Sequence, residues 1–399
     1  MIIFIISLMI VFILIDVCLN RGFTGPTTIL LSMWAIILTI SMFIDVNPLS
    51  INTTQIVFTS CIAFAIGGGI GHLTAQNIGT LCCGYIKRKY SIEVLSILLG
   101  VFCCIFLFIF VSSEFSSGVS DFFIQVRTKI NYGEKNILLV IYGYLYFFLY
   151  PIVYLWAYWF YSFSGDKTRL GYKSTRRKFF FFIIIALIYA VISTAKIKVF
   201  LLVVPVFFIR SYFIKTSARH VVIISMCALF FFYFSMLTLN KLNSSYISPI
   251  DALFHGLMNY SVINLFAFDH IISGFLHINA CDGDALCGLN NFVYIGGYKT
   301  NVYTIFYRLI ELVGWLGTCM LFFVCGFIHN LLYKISKLHK DTVSILFCSI
   351  MYFPLMFQFF DELYISSNYI IYMAMFILSL VVISKVCLYK KDEREKYGR

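Results

Sequence analysis

The chain has 399 residues, of which 61% are hydrophobic and only 12% charged, and it carries a formal net charge of +12. A water-soluble domain carries roughly 25% charged residues, so this composition excludes a soluble globular protein. In a soluble chain the positive balance would point to nucleic acid; here it reads as Lys and Arg on cytoplasmic loops, and no nucleic-acid partner is expected.

The apolar residues come in runs of about 17–25, the length at which a helix crosses a ~30 Å hydrocarbon core. A backbone in lipid must satisfy its own hydrogen bonds, which selects helices. The ~10-residue alternating strands of a membrane barrel are absent. The expectation is an all-α, polytopic transmembrane helix bundle of about eleven spans, a single integral membrane domain over residues 1–399. In chain order the spans are predicted at 2–19, 27–44, 54–75, 92–111, 137–160, 179–195, 199–211, 221–239, 303–328, 343–360 and 370–388. The first has no basic n-region and no small-x-small cleavage site, so it reads as a span and not as a signal peptide. Lys196-Ile197-Lys198 joins the sixth and seventh in a tight hairpin.

Basic side chains gather at every second gap: at Arg21; Lys87, Arg88 and Lys89; 167–178; 210–219; Lys334, Lys337 and Lys340; and the tail 389–399. The positive-inside rule then puts the N-terminus outside and the C-terminus in the cytoplasm. Two large loops fall on the outer side, 112–136 and 240–302. The first is mixed in charge and partly amphipathic. In the second, 251–276 reads as amphipathic helix, with His255, Asn259, Asn264, Asp269 and His270 among apolar residues. Long structureless loops are uncommon unless functional, and this one is too apolar for a disordered linker. It is expected to be partly helical and to pack on the outer mouth of the bundle.

Several local patterns have plain structural readings. Gly67-Gly68-Gly69-Ile70-Gly71 before His72 reads as a small-residue packing face, and no strand precedes it to make a phosphate loop. Asp16 and Glu93 sit near cytoplasmic span ends and are read as snorkelling. The 13 Cys include no C-x-x-C pair, and adjacent Cys82-Cys83 and Cys103-Cys104 do not suit a tetrahedral zinc site. No metal or cofactor is expected. Cys281 and Cys287 lie on the outer loop, where oxidation is permitted; they form a short-loop disulfide or remain two thiols.

The remaining charges collect at the predicted outer face: Arg127 and Lys129, Lys196 and Lys198, Asp269 and His270, Arg308 and Glu311, Asp361 and Glu362. Charges in or beside spans are costly and usually functional. This set fits a substrate with an anionic pyrophosphate and a sugar. Lys and Arg neutralise phosphates, a carboxylate or His deprotonates a hydroxyl, and Tyr260, Tyr298, Tyr303 and Tyr307 are available to flank sugar rings. The plainer alternatives are interface anchors for the two lysines and a local i, i+3 helix pair for Arg308 and Glu311.

Several segments also resemble their counterparts in a known family. They are Pro26 through Trp34 with Phe43 and Ile66-Gly67; the Ser193-Thr194-Ala195-Lys196 turn; Tyr260 through Phe268-Asp269; and Asn301-Val302-Tyr303-Thr304, Tyr307 and Glu311-Leu312-Val313-Gly314-Trp315-Leu316-Gly317. Together they resemble the oligosaccharide repeat unit polymerases, the O-antigen polymerase (Wzy) family of bacterial inner membranes. The last segment is similar to that family's N-V-Y-T … D-F-G-x-x-G stretch, with Glu311 at the Asp position and Val313 at a Gly.

The resemblance implies a glycosyltransferase of the inner membrane, acting at the periplasmic face without nucleotide sugar or cofactor. It would transfer the reducing-end sugar of one undecaprenyl-pyrophosphate-linked glycan to a hydroxyl of the next repeat unit. Asp269, His270 and Glu311 are then the candidate bases, and Arg127, Lys196, Lys198, Tyr260, Asn301, Tyr303 and Arg308 the candidate substrate-binding residues. The implied partners are the lipid-linked donor and acceptor, membrane lipid, a chain-length regulator and a flippase. An O-antigen ligase and a repeat-unit flippase are the alternatives. The odd span count, the dry span interiors and the 240–302 loop weigh against a flippase.

Overall fold

Runs too apolar for water become helices whose outward faces stay apolar. In the computed structural model the described residues are 1–20, 23–44, 46–77, 85–86, 90–114, 119–132, 137–163, 171–193, 195–216, 226, 230, 233, 248–274, 293–296, 298–300, 303–360, 363–364 and 366–389. The helices are α1 (Ile2–Asn20), α2 (Pro26–Ser41), α3 (Ile51–Asn77), α4 (Tyr90–Glu114), α5 (Val119–Tyr132), α6 (Ile137–Tyr144), α7 (Tyr146–Ser162), α8 (Tyr172–Ile192), α9 (Lys196–Phe213), α10 (Pro249–Tyr260), α11 (Ile263–Ile272), α12 (Ile305–His339), α13 (Thr342–Met356) and α14 (Ser367–Cys387). Two short antiparallel pairs accompany them, β1 (Tyr85–Ile86) with β4 (Leu388–Tyr389), and β2 (Val293–Ile295) with β3 (Tyr298–Thr300).

Among the described residues, five helical stretches are long and apolar enough to cross a membrane: Ile2–Asn20, Ile51–Asn77, Tyr90–Ser113, Ile137–Ser162 and Ile305–His339. Their exposed residues are large and apolar, such as Phe4 and Leu14 on α1 and Leu98 and Phe108 on α4. That is the surface of a helical membrane protein, not of a soluble one. Helices also form at the other predicted spans, except the eighth, 221–239, which lies almost wholly outside the described residues. The hairpin turn falls three residues early: α8 ends at Ile192 and α9 already begins at Lys196.

The chain divides into two compact units. The first comprises residues 1–79, 247–335 and 354–369. Here α3 meets α12 backbone to backbone. A Cβ added at Gly67 would lie 2.1 Å from the Phe323 carbonyl oxygen, and one at Gly71 2.3 Å from that of Phe327. From the other side, a Cβ at Gly326 would lie 2.1 Å from the Phe64 oxygen. Small residues are what allow membrane helices this approach, so the glycine-rich run is a packing face, as its sequence suggests.

The expectation that Asp16 snorkels is corrected. It is 9% exposed, and its carboxylate accepts from Thr28 N at 3.0 Å, Thr28 Oγ1 at 2.5 Å and Asn20 Nδ2 at 2.9 Å. Thr28 lies in the first turn of α2, so α1 supplies the cap that α2 lacks locally. A carboxylate at a helix N-terminus satisfies orphan N–H groups and complements the dipole.

α12 holds the largest departure from the expected bundle. Gly314 inside it has φ 68° and ψ −178°, a region essentially reserved for glycine. On either side, the Phe306 and Phe322 rings stack with centroids 5.3 Å apart. Sixteen residues of straight helix would separate them by about 24 Å. The chain therefore doubles back at Gly314 into a short arm, 305–313, and a long arm, 315–339. The single straight span expected at 303–328 does not form, and the long arm alone remains to cross a bilayer.

The second unit comprises residues 80–246, 336–353 and 370–399. Its hub is α7, on which Tyr150, Val153, Tyr154, Trp156 and Ala157 are fully buried. A helix buried all round is the core of its bundle. Glu93 pairs with Lys178 and so does not snorkel freely either.

Candidate functional site

Tyrosine recurs every fourth residue through α6 and α7: Tyr142, Tyr146, Tyr150, Tyr154 and Tyr158. This spacing holds the side chains near one helix face. Four of the hydroxyls reach backbone carbonyls. Tyr142 donates to Tyr189 O at 2.9 Å, Tyr150 to Lys198 O at 3.0 Å, Tyr154 to Leu201 O at 2.5 Å and Tyr158 to Lys340 O at 3.2 Å. Tyr189 returns a bond to Tyr142 O at 2.9 Å. Buried tyrosines need such partners, and the ladder fixes the α8–α9 hairpin against α6 and α7.

Tyr146 is the exception: its hydroxyl makes no hydrogen bond to another described residue. Its ring lies 4.9 Å from Lys198 Nζ. The same ammonium lies 4.9 Å from the Tyr189 ring and 5.7 Å from the Tyr142 ring, and donates to Tyr189 Oη at 2.8 Å. Among the described residues no carboxylate pairs with it. Aromatic faces stabilise a cation without neutralising it, so a partly buried positive charge is left to attract an anion.

The first unit holds most of the other predicted residues. Asp269 is 6% exposed. Its Oδ1 accepts from Ser50 N at 3.0 Å and, by a shorter bond, from Ser50 Oγ. Ser50 precedes α3, and its carbonyl accepts from Thr54 N, so Asp269 ties α11 to the N-terminus of α3. Asn264, one helical face away, donates to Phe359 O at 3.2 Å and accepts from Thr300 Oγ1 at 2.9 Å. These bonds seat the helical part of the 240–302 loop on its unit. His255 stacks on Tyr298, centroids 4.3 Å apart, and burial holds its pKa below the usual imidazole value.

Arg308 and Glu311 both stand on the short arm of α12, Arg308 partly buried and Glu311 exposed. Tyr303, buried, packs on Tyr307 at 4.9 Å. The arm is held by Ile305 N donating to Gln358 O at 2.8 Å and by Phe306 against Trp34 at 5.0 Å. The carboxylates of Asp16, Asp251 and Asp269 in this unit are engaged by hydroxyls or backbone N–H groups. The Glu311 side chain makes no hydrogen bond or ion pair to another described residue, nor does that of Arg308. The i, i+3 spacing therefore does not close a local ion pair.

The predicted site residues thus fall in both units. Arg127, on α5, and Lys198 belong to the second; Asp269, His270, Tyr303, Arg308 and Glu311 belong to the first. Asn301, Cys281, Cys287, Asp361 and Glu362 lie outside the described residues, as do the side chains of Lys196 and Tyr260. Sequence reasoning missed Tyr142, Tyr146 and Tyr189. The fourfold tyrosine spacing was the signal that could have found the first two. Compared with known proteins, the chain matches no family model, no curated protein and no solved structure.

Proposed function

We propose that this protein is a surface-polysaccharide polymerase, joining undecaprenyl-pyrophosphate-linked repeat units at the periplasmic face of a bacterial inner membrane. Under this reading the chain has about eleven spans, the N-terminus and the 240–302 loop are periplasmic, and the C-terminus is cytoplasmic. The observation that carries it is Lys198: a cation in a helical membrane protein, ringed by three tyrosines, with no described acid partner. Such a site suits an anionic headgroup attached to a sugar. The ammonium meets the phosphate, and Tyr146 offers a ring and an open hydroxyl to the glycan.

In the reaction the acceptor hydroxyl attacks the anomeric carbon of the donor glycan. The carbon–oxygen bond to pyrophosphate breaks, undecaprenyl pyrophosphate leaves with the electron pair, and the hydroxyl proton passes to a base. Glu311 is the base of choice, because Asp269 is already engaged by Ser50. Lys198, with Arg127 and Lys196 of its own unit, stabilises the charge that develops on the leaving group. The whole transfer needs no nucleotide and no cofactor. A chain-length regulator and a flippase would be its working partners.

The test is the lipopolysaccharide ladder of a deletion strain complemented with wild type or Lys198→Ala. The expected result is core bearing a single repeat in the deletion and in Lys198→Ala, with the ladder restored by wild type. Bare core with polymer stranded on the carrier would assign a ligase instead. Repeat units trapped in the cytoplasm would assign a flippase.

A further inference from the structure

The doubling back of α12 leaves an apolar crevice between its arms. Ile305 and Leu309 line it from the short arm, and Leu321, Phe322 and Cys325 from the long arm, with Gln358 and Tyr364 completing it; its cavity volume is about 70 Å³. Leu321 is 37% exposed, and Met320, Val324 and Ile328 beside it on the same arm are 60%, 47% and 40% exposed. On a helix long and apolar enough to span a bilayer, such residues face lipid, so the crevice opens sideways toward acyl chains. Arg308 stands on the same short arm as two of the lining residues. It follows Ile305 by three residues and precedes Leu309, which on a helix puts it at the edge of the face that lines the crevice. Among the described residues its guanidinium has no acid partner.

We propose that this crevice holds the single hydrocarbon chain of a membrane lipid whose phosphate or pyrophosphate headgroup is gripped by Arg308. The proposal rests on the polymerase reading for the identity of that lipid, a polyprenyl carrier, and deepens it by placing the carrier's chain. Charge complementarity selects an anionic head, and the planar guanidinium forks onto phosphate oxygens. The crevice lies between the two arms of a single hairpin held at the Phe306–Phe322 stack, so it takes one chain, and a diacyl phospholipid would have to leave its second chain outside. Only the segment next to the headgroup is enclosed, and the remainder lies in the bilayer.

The experiment is native mass spectrometry of the detergent-purified full chain titrated with undecaprenyl phosphate. Dioleoyl phosphatidic acid and inorganic pyrophosphate serve as competitors. Filling the crevice from either wall, by Leu309→Trp or Leu321→Trp, is expected to weaken undecaprenyl phosphate binding about tenfold or more. Arg308→Ala is expected to weaken it by a similar factor. Leu312→Trp, the same bulk at an exposed position of the short arm (66% exposed), is expected to bind as wild type. Using both tryptophan variants guards against one of them failing to fold. Wild-type binding by both, or phosphatidic acid binding as tightly as undecaprenyl phosphate, overturns the proposal. So does equal displacement by inorganic pyrophosphate. Failure of the polymerase reading appears elsewhere: a normal ladder in the deletion strain would refute that reading and leave the binding result standing.

Discussion

Acidic side chains in this protein close the ends of helices. Asp16 caps α2 from α1, Asp269 caps α3 from α11 through Ser50, and Asp341 caps its own helix, α13, by accepting from Ser344 N at 3.0 Å. In each case an orphan N–H in a poorly hydrated place gains an acceptor. The distinction matters for chemistry, because a carboxylate engaged as a cap is a poor base. Asp269→Asn keeps an oxygen for Ser50 and is expected to retain polymer. Asp269→Ala removes it and should destabilise the loop anchor by about 1–2 kcal/mol, read as a lower unfolding temperature in detergent. Glu311→Gln should abolish polymer at unchanged protein level. Loss of polymer in Asp269→Asn with activity in Glu311→Gln would reverse the assignment of the base. The sequence offered Asp269 and Glu311 on equal terms, since nothing local to either reveals a partner that arrives from more than two hundred residues away.

At the scale of elements, the helices that begin at Ile2, Pro26, Tyr90, Tyr172 and Ser367 were legible because a long apolar run in this composition has few other solutions. The same reasoning misread α12, because hydropathy records that a segment is apolar and not whether it is straight. Gly314 carries that decision. Nothing lies within 4 Å of a Cβ built there, so Gly314→Ala meets no steric obstacle and its cost is the backbone conformation alone, about 1–3 kcal/mol. It should lower the unfolding temperature and cut polymer formation together. Gly69→Ala, in helical backbone with equally open space, should leave both near wild type. A neutral Gly314→Ala would mean that the turn does not govern the arm. The loop helix expected over 251–276 is likewise two helices, parted at Ser261 and Val262, with Ser261 outside the helical region. Amphipathic periodicity persists across such a break and does not mark it.

For the whole molecule, the prediction is orientation. The basic tail and the loops at 87–89, 167–178 and 334–340 belong on one side, the 240–302 loop on the other. Alkaline phosphatase inserted within 275–292 should be active, whereas a fusion at the C-terminus should be silent and a fluorescent protein there should glow. An active phosphatase at the tail would invert the topology and remove the periplasmic reaction.

The sequence by itself determined that this is a helical membrane protein. It also determined where most helices lie and that a glycine face packs tightly in one of them. Those properties follow from solvent transfer and local geometry, which act on neighbours in the chain. The tertiary structure alone decided which charges are engaged and which stand open. It turned Asp269 into an anchor, ringed Lys198 with tyrosines from three helices and folded Arg308 and Glu311 back onto a short arm. Partners of that kind come from distant parts of the chain, and the strength of a charge in a dry interior depends on what surrounds it in space.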